Sequence, residues 1–235
     1  MLQENGEEAV LPMADTLIVF AREPKMGRVK QRLASEAGAA AALAIYRRLL
    51  DRTLRTAHTY VRHSNQLHTQ KSRLIICGHQ IQPGGRLSRF SSYSGAALQA
   101  QQGEDQGQRM HNALRRARLE GAQRAVLIGC DCPQLRLTDL RAAFSALHEA
   151  ELVVSPTRDG GYCLIGASEH CPDVFDNIPW GTDQVLSLTQ RRAAVRGWSM
   201  RELALQSDID HLNDWRRWQR ERARKSLSEH AWEVG

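Results

Sequence analysis

Five short β-rich apolar runs punctuate the chain: TLIVF (16–20), RLIIC (73–77), AVLIG (125–129), ELVVS (151–155) and YCLIG (162–166). Each is continuous rather than alternating, the pattern of strands covered on both faces. Helical spacing fills the intervals. Leu43, Tyr46, Leu50 and Leu54 share one helical face, Met110, Ala113, Leu114 and Ala117 a second, and Leu140, Ala143, Phe144 and Leu147 a third, behind a Thr138 cap. The β-α-β-α order predicts an α/β layered domain with a mainly parallel sheet. The stretch from Gln82 to Gly107, rich in Gly, Ser and Gln, reads as a long polar loop. Near the C-terminus, WRRWQRERARK (215–225) reads as the solvated face of a helix that turns Leu212, Trp215 and Trp218 inward.

Composition narrows the class. With 235 residues, 42% hydrophobic and 25% charged, the chain can bury one sizeable core. We expect a single catalytic domain over 15–226, a flexible extension over 1–14 and a tail over 227–235. No apolar run approaches the roughly 20 residues needed to cross a bilayer. The acidic N-terminus lacks the basic and apolar regions of a signal peptide, so a cytoplasmic location is expected. Five cysteines with no C-x-x-C pair indicate neither a disulfide framework nor a zinc site. The net charge of +6 is compatible with anionic partners. The sequence argues against nucleic acid, because no RRM, KH or helix-turn-helix signature accompanies it.

Ligands of open α/β sheets bind beyond the carboxyl ends of the strands, so the residues just past each apolar run are the candidates for chemistry. After the first comes AREPKMGRVKQRLA, with Arg22, Lys25, Gly27, Arg28, Lys30 and Arg32. It is neither a P-loop nor G-x-G-x-x-G, yet it offers cationic donors near a helix start, suited to a di- or triphosphate or simply an exposed basic turn. After the third run, Asp131 sits between Cys130 and Cys132. It is either a carboxylate ligand for a hard divalent cation or a turn cap before Pro133. Asp159-Gly160 is a hairpin signal, and Gly160 and Gly161 would also let a ligand approach the backbone before Tyr162. Trp180 and Gly181 precede a helix that Thr182 is expected to cap. Asp208 and Asp210, before the last helix, are either capping residues or companions of Asp131 around a metal.

Together, FAREPKMGRVKQRLA, DQGQRMHNAL, LIGCDCPQL, SPTRDGGYCLIG, WGTDQVL and SDIDHLNDW resemble a bacterial GT-A-type family designated radical-SAM/selenodomain-associated glycosyltransferases, within the nucleotide-diphospho-sugar transferase superfamily. The resemblance runs from about residue 15 to about residue 216. It departs at Gln31, where the family has Thr, and at His211-Leu212-Asn213, where it has Thr-Pro-Glu. The resemblance implies a three-layer α/β/α Rossmann-like GT-A fold and sugar transfer from a nucleotide-diphosphate sugar to a small-molecule or peptide acceptor. It implies Mg²⁺ or Mn²⁺ held by Asp131, Asp208 and Asp210. Catalytic roles would fall to Asp131, Asp159 and Asp210, and phosphate contacts to Arg22, Lys25, Gly27, Lys30 and Arg32. Gly160, Gly161, Tyr162, Trp180 and Thr182 would lie near the substrate. Alternatives on the same fold are a nucleotidyltransferase acting on a phosphorylated small molecule and a non-catalytic nucleotide-binding protein. The sequence leaves the oligomeric state open.

Overall fold

The computed structural model of the protein describes residues 15–67, 71–168 and 174–231. In chain order the elements are β1 (Asp15–Arg22), α1 (Gln31–Ala37), α2 (Ala39–Leu67), β2 (Arg73–His79), α3 (Arg86–Ser94), β3 (Ala97–Ala100), α4 (Gln106–Leu119) and β4 (Arg124–Ile128). They continue with α5 (Leu137–Ala146), β5 (Leu152–Pro156), β6 (Tyr162–Ala167), α6 (Val185–Val195), β7 (Met200–Glu202) and α7 (Leu212–Ala231). The strands form one seven-stranded sheet in the order β3-β2-β1-β4-β6-β5-β7. β6 runs antiparallel to β4 and β5, and the remaining pairings are parallel. This is the expected α/β architecture with a mostly parallel mixed sheet.

Burial explains the unbroken apolar runs. Side chains alternate across a strand, and here both faces are covered. Leu17, Val19 and Ala21 of β1 join Leu74, Ile76, Val126 and Ile128 in one core, with α2 and α5 packed against it. Ile18 and Phe20 join Ile75, Cys77 and Leu127 in a second core, under α4 and α6. A smaller cluster beneath α1, α2 and α7 contains Leu33, Leu49, Ile209 and Trp215, with Leu212 and Trp218 against it, as the C-terminal pattern predicts.

Three local expectations are corrected. The segment 82–107 is not a loop: it contains α3, the edge strand β3 and the start of α4. Its glycines bracket a helix, Gly85 preceding α3 and Gly95 ending it with φ 70°, and α3 inserts the fully buried Leu87. Thr138 lies inside the first turn of α5, whose start is fixed by the Arg136 N–H donating to the Asp139 carboxylate at 2.7 Å. Thr182 precedes α6 by a turn, and its hydroxyl donates to the Pro179 carbonyl at 2.8 Å. The extension 1–14 lies outside the described residues; α7 continues past residue 226 to Ala231, and residues 232–235 are likewise outside them. Among the described residues, no helix is long and apolar enough to cross a membrane.

Candidate functional site

β1 has β2 on one side and β4 on the other, so the loops leaving β1 and β4 diverge and open a crevice at their carboxyl ends. A cavity of about 430 Å³ occupies it, lined by Arg22, Arg28, Lys30 and Arg32 from the first loop, and by Gly129, Cys130 and Asp131 from the second. The Tyr46 hydroxyl fastens the end of β1, accepting from the Arg22 N–H at 2.8 Å and donating to the Arg22 carbonyl at 3.0 Å. Lys25 and Gly27 do not line the cavity; the φ of 70° at Gly27 serves the bend.

Lys30 is the hub. Its side chain is 6% exposed, and Nζ lies 2.9 Å from Oδ1 of Asp131 and 2.9 Å from Oδ1 of Asp210. The second oxygen of Asp210 accepts from Arg32 at 3.0 Å. Burial pushes the Lys30 ammonium down, but the two carboxylates outweigh it and hold its pKa above the ordinary lysine range. Burial pushes the Asp210 carboxyl up, and Lys30 with Arg32 more than reverses this. The acidic loop is tied to the end of β4 by its backbone as well, Ile209 N–H donating to the Asp131 carbonyl at 3.0 Å.

This arrangement bears on the metal expectation. Among the described residues, no three His, Cys, Asp or Glu side chains converge to hold an ion. Asp208 lines a neighbouring cavity together with Asp131 and Asp210; burial first, then the charges of Asp159 and Asp210, raise its pKa to about 6. Between Asp131 and Asp210 the cationic position is taken by Lys30. Lys30 takes one oxygen of each carboxylate, and the Asp131 side chain stays half exposed.

A second cavity, about 330 Å³, adjoins the first and shares Gln106, Gly129, Asp131 and Asp210 with it. Its walls include Asp159, Gly161, Tyr162, Trp180, Thr182 and Asp208. The β5–β6 hairpin presents Asp159, whose Oδ1 accepts from Thr157 Oγ1 at 2.6 Å and from the Gly161 N–H at 3.2 Å. Gly160 does not line the cavity. It has φ 83°, and a Cβ there would stand 2.2 Å from the Asp183 carbonyl oxygen, so it closes the hairpin onto the α6 approach. Trp180 is wedged between Tyr162, edge-on at 6.5 Å, and Phe175 at 6.4 Å, with Gly107 of α4 leaving room for its ring. The sequence assigns no role to Gln101 or to Gln106, although Gln106 lies in the DQGQRMHNAL stretch, and both line the first cavity. The Gln101 amide donates to the carbonyls of Ala21 and Cys77, a role invisible while that segment reads as loop.

The model of a family described as "Uncharacterized protein conserved in bacteria (DUF2064)" matches residues 61–182, just over half of the chain. The chain belongs to this family. The DUF2064 region carries Asp131, Asp159, Tyr162 and Trp180, while Lys30, Asp208 and Asp210 lie outside it. No curated protein matches the sequence. Among solved structures, a protein of Desulfovibrio desulfuricans G20, named provisionally as a nucleotide-diphospho-sugar transferase, is 28% identical with a TM-score of 0.72, over 85% of this chain and 84% of its own. A 4-diphosphocytidyl-2C-methyl-D-erythritol synthase of Anaerococcus prevotii is 9% identical with a TM-score of 0.55, over 86% of this chain and 95% of its own. A cytidylyltransferase of Leptospira borgpetersenii is 10% identical with a TM-score of 0.53, over 86% of this chain and 84% of its own. The last two likenesses are of fold.

Proposed function

We propose that this DUF2064 protein is a nucleotide-dependent transferase that moves a sugar from a nucleotide-diphosphate sugar to an acceptor hydroxyl. The observation that carries the reading is the junction of two unlike cavities: a cationic one and an acidic, aromatic one meet at Asp131 and Asp210. The 28% identity to the Desulfovibrio protein over most of both chains supports the same class.

In this reading the diphosphate lies in the first cavity. Arg22, Arg28 and Arg32 offer guanidinium forks to its oxygens, and Lys30 supplies positive charge between it and the two carboxylates. The sugar and acceptor lie in the second, where Trp180 and Tyr162 provide flat apolar faces and Asp159 and Asp208 accept hydroxyl hydrogens. The acceptor oxygen attacks the anomeric carbon, the bond from that carbon to the diphosphate oxygen breaks, and the nucleoside diphosphate leaves with the bonding pair. Its growing charge falls beside the cations, where preorganised electrostatics has most effect. The acceptor proton passes to Asp208 or Asp159, two carboxylates that line that cavity and are not paired with Lys30. Lys30 takes Oδ1 of Asp131, and the Asp131 side chain is half exposed; a divalent cation held there would add to the positive charge that these side chains bring to the leaving group.

Thermal unfolding with nucleotide-sugars, nucleoside diphosphates and nucleoside triphosphates, each with Mg²⁺, Mn²⁺ or EDTA, tests the proposal. A matching donor at a hundred times its Kd should stabilise the protein by about 2.7 kcal/mol. Stabilisation by triphosphates alone would replace sugar transfer with nucleotidyl transfer. Asp131→Asn should abolish product formation while keeping the melting temperature of the free protein within a few degrees; full activity in that variant would remove Asp131 from the site.

A further inference from the structure

Between α2 and α7 lies a third cavity, about 520 Å³, that shares no lining residue with the two of the candidate site. Arg48, Arg52 and Arg55 enter it from α2, where their spacing puts them on one helical face, and Arg222 enters from α7. Trp215 and Trp218 line it with ring centres 5.0 Å apart, and the Arg222 guanidinium lies 5.7 Å above Trp218. Four guanidinium groups therefore converge on an aromatic wall.

Little answers that charge. Asp51, the acidic residue on the wall, is held bidentate by Arg86 outside the cavity. Among the described residues, Arg48, Arg55 and Arg222 have no carboxylate partner. Arg52 gives its Nε–H to the Pro133 carbonyl. Burial first, then the charges of Arg222, Arg136 and Arg55, hold its pKa below the ordinary arginine range. A bound anion would face all four of these cations at once. Guanidinium forks match phosphate oxygens two at a time, and a phosphate group concentrates more negative charge than a carboxylate. The volume of this open groove, about 520 Å³, suits a small molecule.

We infer that the α2–α7 groove is a binding site for a small, multiply charged phosphate compound, separate from the cavities of the candidate site. It does not depend on the transferase reading. Because Arg52 also holds Pro133, the occupied groove would rest against the same loop that carries Asp131.

Indole ¹⁵N–H spectra of the full chain, titrated with sodium tripolyphosphate at constant ionic strength, read the site directly. The chain has five tryptophans, and Trp218→Phe identifies the relevant signal. The Trp218 signal should move saturably, and Arg48→Ala/Arg222→Ala should weaken that binding at least tenfold with the other indole signals in place. Arg32→Ala, which alters the first cavity, should leave the Trp218 titration unchanged. A Trp218 signal that does not saturate, or saturates equally well in the double variant, would overturn the inference. Saturation by a single-stranded oligonucleotide at lower concentration than tripolyphosphate would also overturn it, in favour of nucleic acid.

Discussion

Lys30 stands at φ 48°, in the left-handed region where a side chain costs roughly 1–2 kcal/mol. It stays there because its ammonium links Asp131 to Asp210. Removing the charge while keeping the bulk, Lys30→Met, leaves two carboxylates facing each other; we expect a loss of about 1–3 kcal/mol in urea unfolding. A cycle with Asp210→Asn should show coupling of about 1 kcal/mol or more, since the two groups touch. Gly160 makes the complementary case. An added methyl at φ 83° would meet the Asp183 carbonyl, so Gly160→Ala should lower the stability in urea by roughly 2 kcal/mol or more without changing the slope. At Gly27, with nothing within 4 Å, the same substitution should cost only the backbone term, roughly 1 kcal/mol.

At the level of elements, α1 and α7 are joined by a latch beside the acidic loop. The Glu36 carboxylate meets the His211 ring at 2.5 Å and accepts the Leu212 N–H, at the start of α7, at 2.9 Å. The hydrogen bond to His211, then that to Leu212, holds the Glu36 pKa below the ordinary carboxylate value. The same bond, with the surrounding carboxylates, raises His211 above the ordinary imidazole value. Together the two shifts define a pH window. The His211 contribution is complete below the ordinary imidazole value and fades as pH rises through the raised one. The Glu36 contribution is complete above the ordinary carboxylate value and fades as pH falls through the lowered one. The latch is therefore fully closed between those two ordinary values. NMR titration of the His211 ring should give a raised midpoint that Glu36→Gln returns towards the ordinary value; an unchanged midpoint would deny the pairing.

At the scale of the whole molecule, what the sequence made legible was what burial dictates. The five predicted strands are covered on both faces, so their composition alone exposes them; β3 and β7 lie at the sheet edges, half-exposed and short, and carry no such imprint. α3 escaped because its helical face needs only Leu87 and Phe90, set among serines and glycines that read as loop. The carboxylates at strand ends could be located by rule, but the pairing of Lys30 with Asp131 and Asp210 could not. Its partners lie far along the chain, Asp210 being 180 residues away, and no local pattern says which charges meet. The sheet order carries one more consequence, for synthesis. β1 gains β2 early, but its other edge waits for β4, and Asp15 lies 109 residues before its partner Arg124. At about 5–20 residues per second, that edge stays open on the ribosome for roughly 5–20 seconds. Throughout that interval Ile18 and Phe20 have no β4 beside them, and Lys30 has neither counter-ion. The nascent chain therefore presents a sticky, unpaired β1 edge for a holdase chaperone to shield, and the three groups of the hub meet only once the segment carrying Asp210, 180 residues after Lys30, has been made.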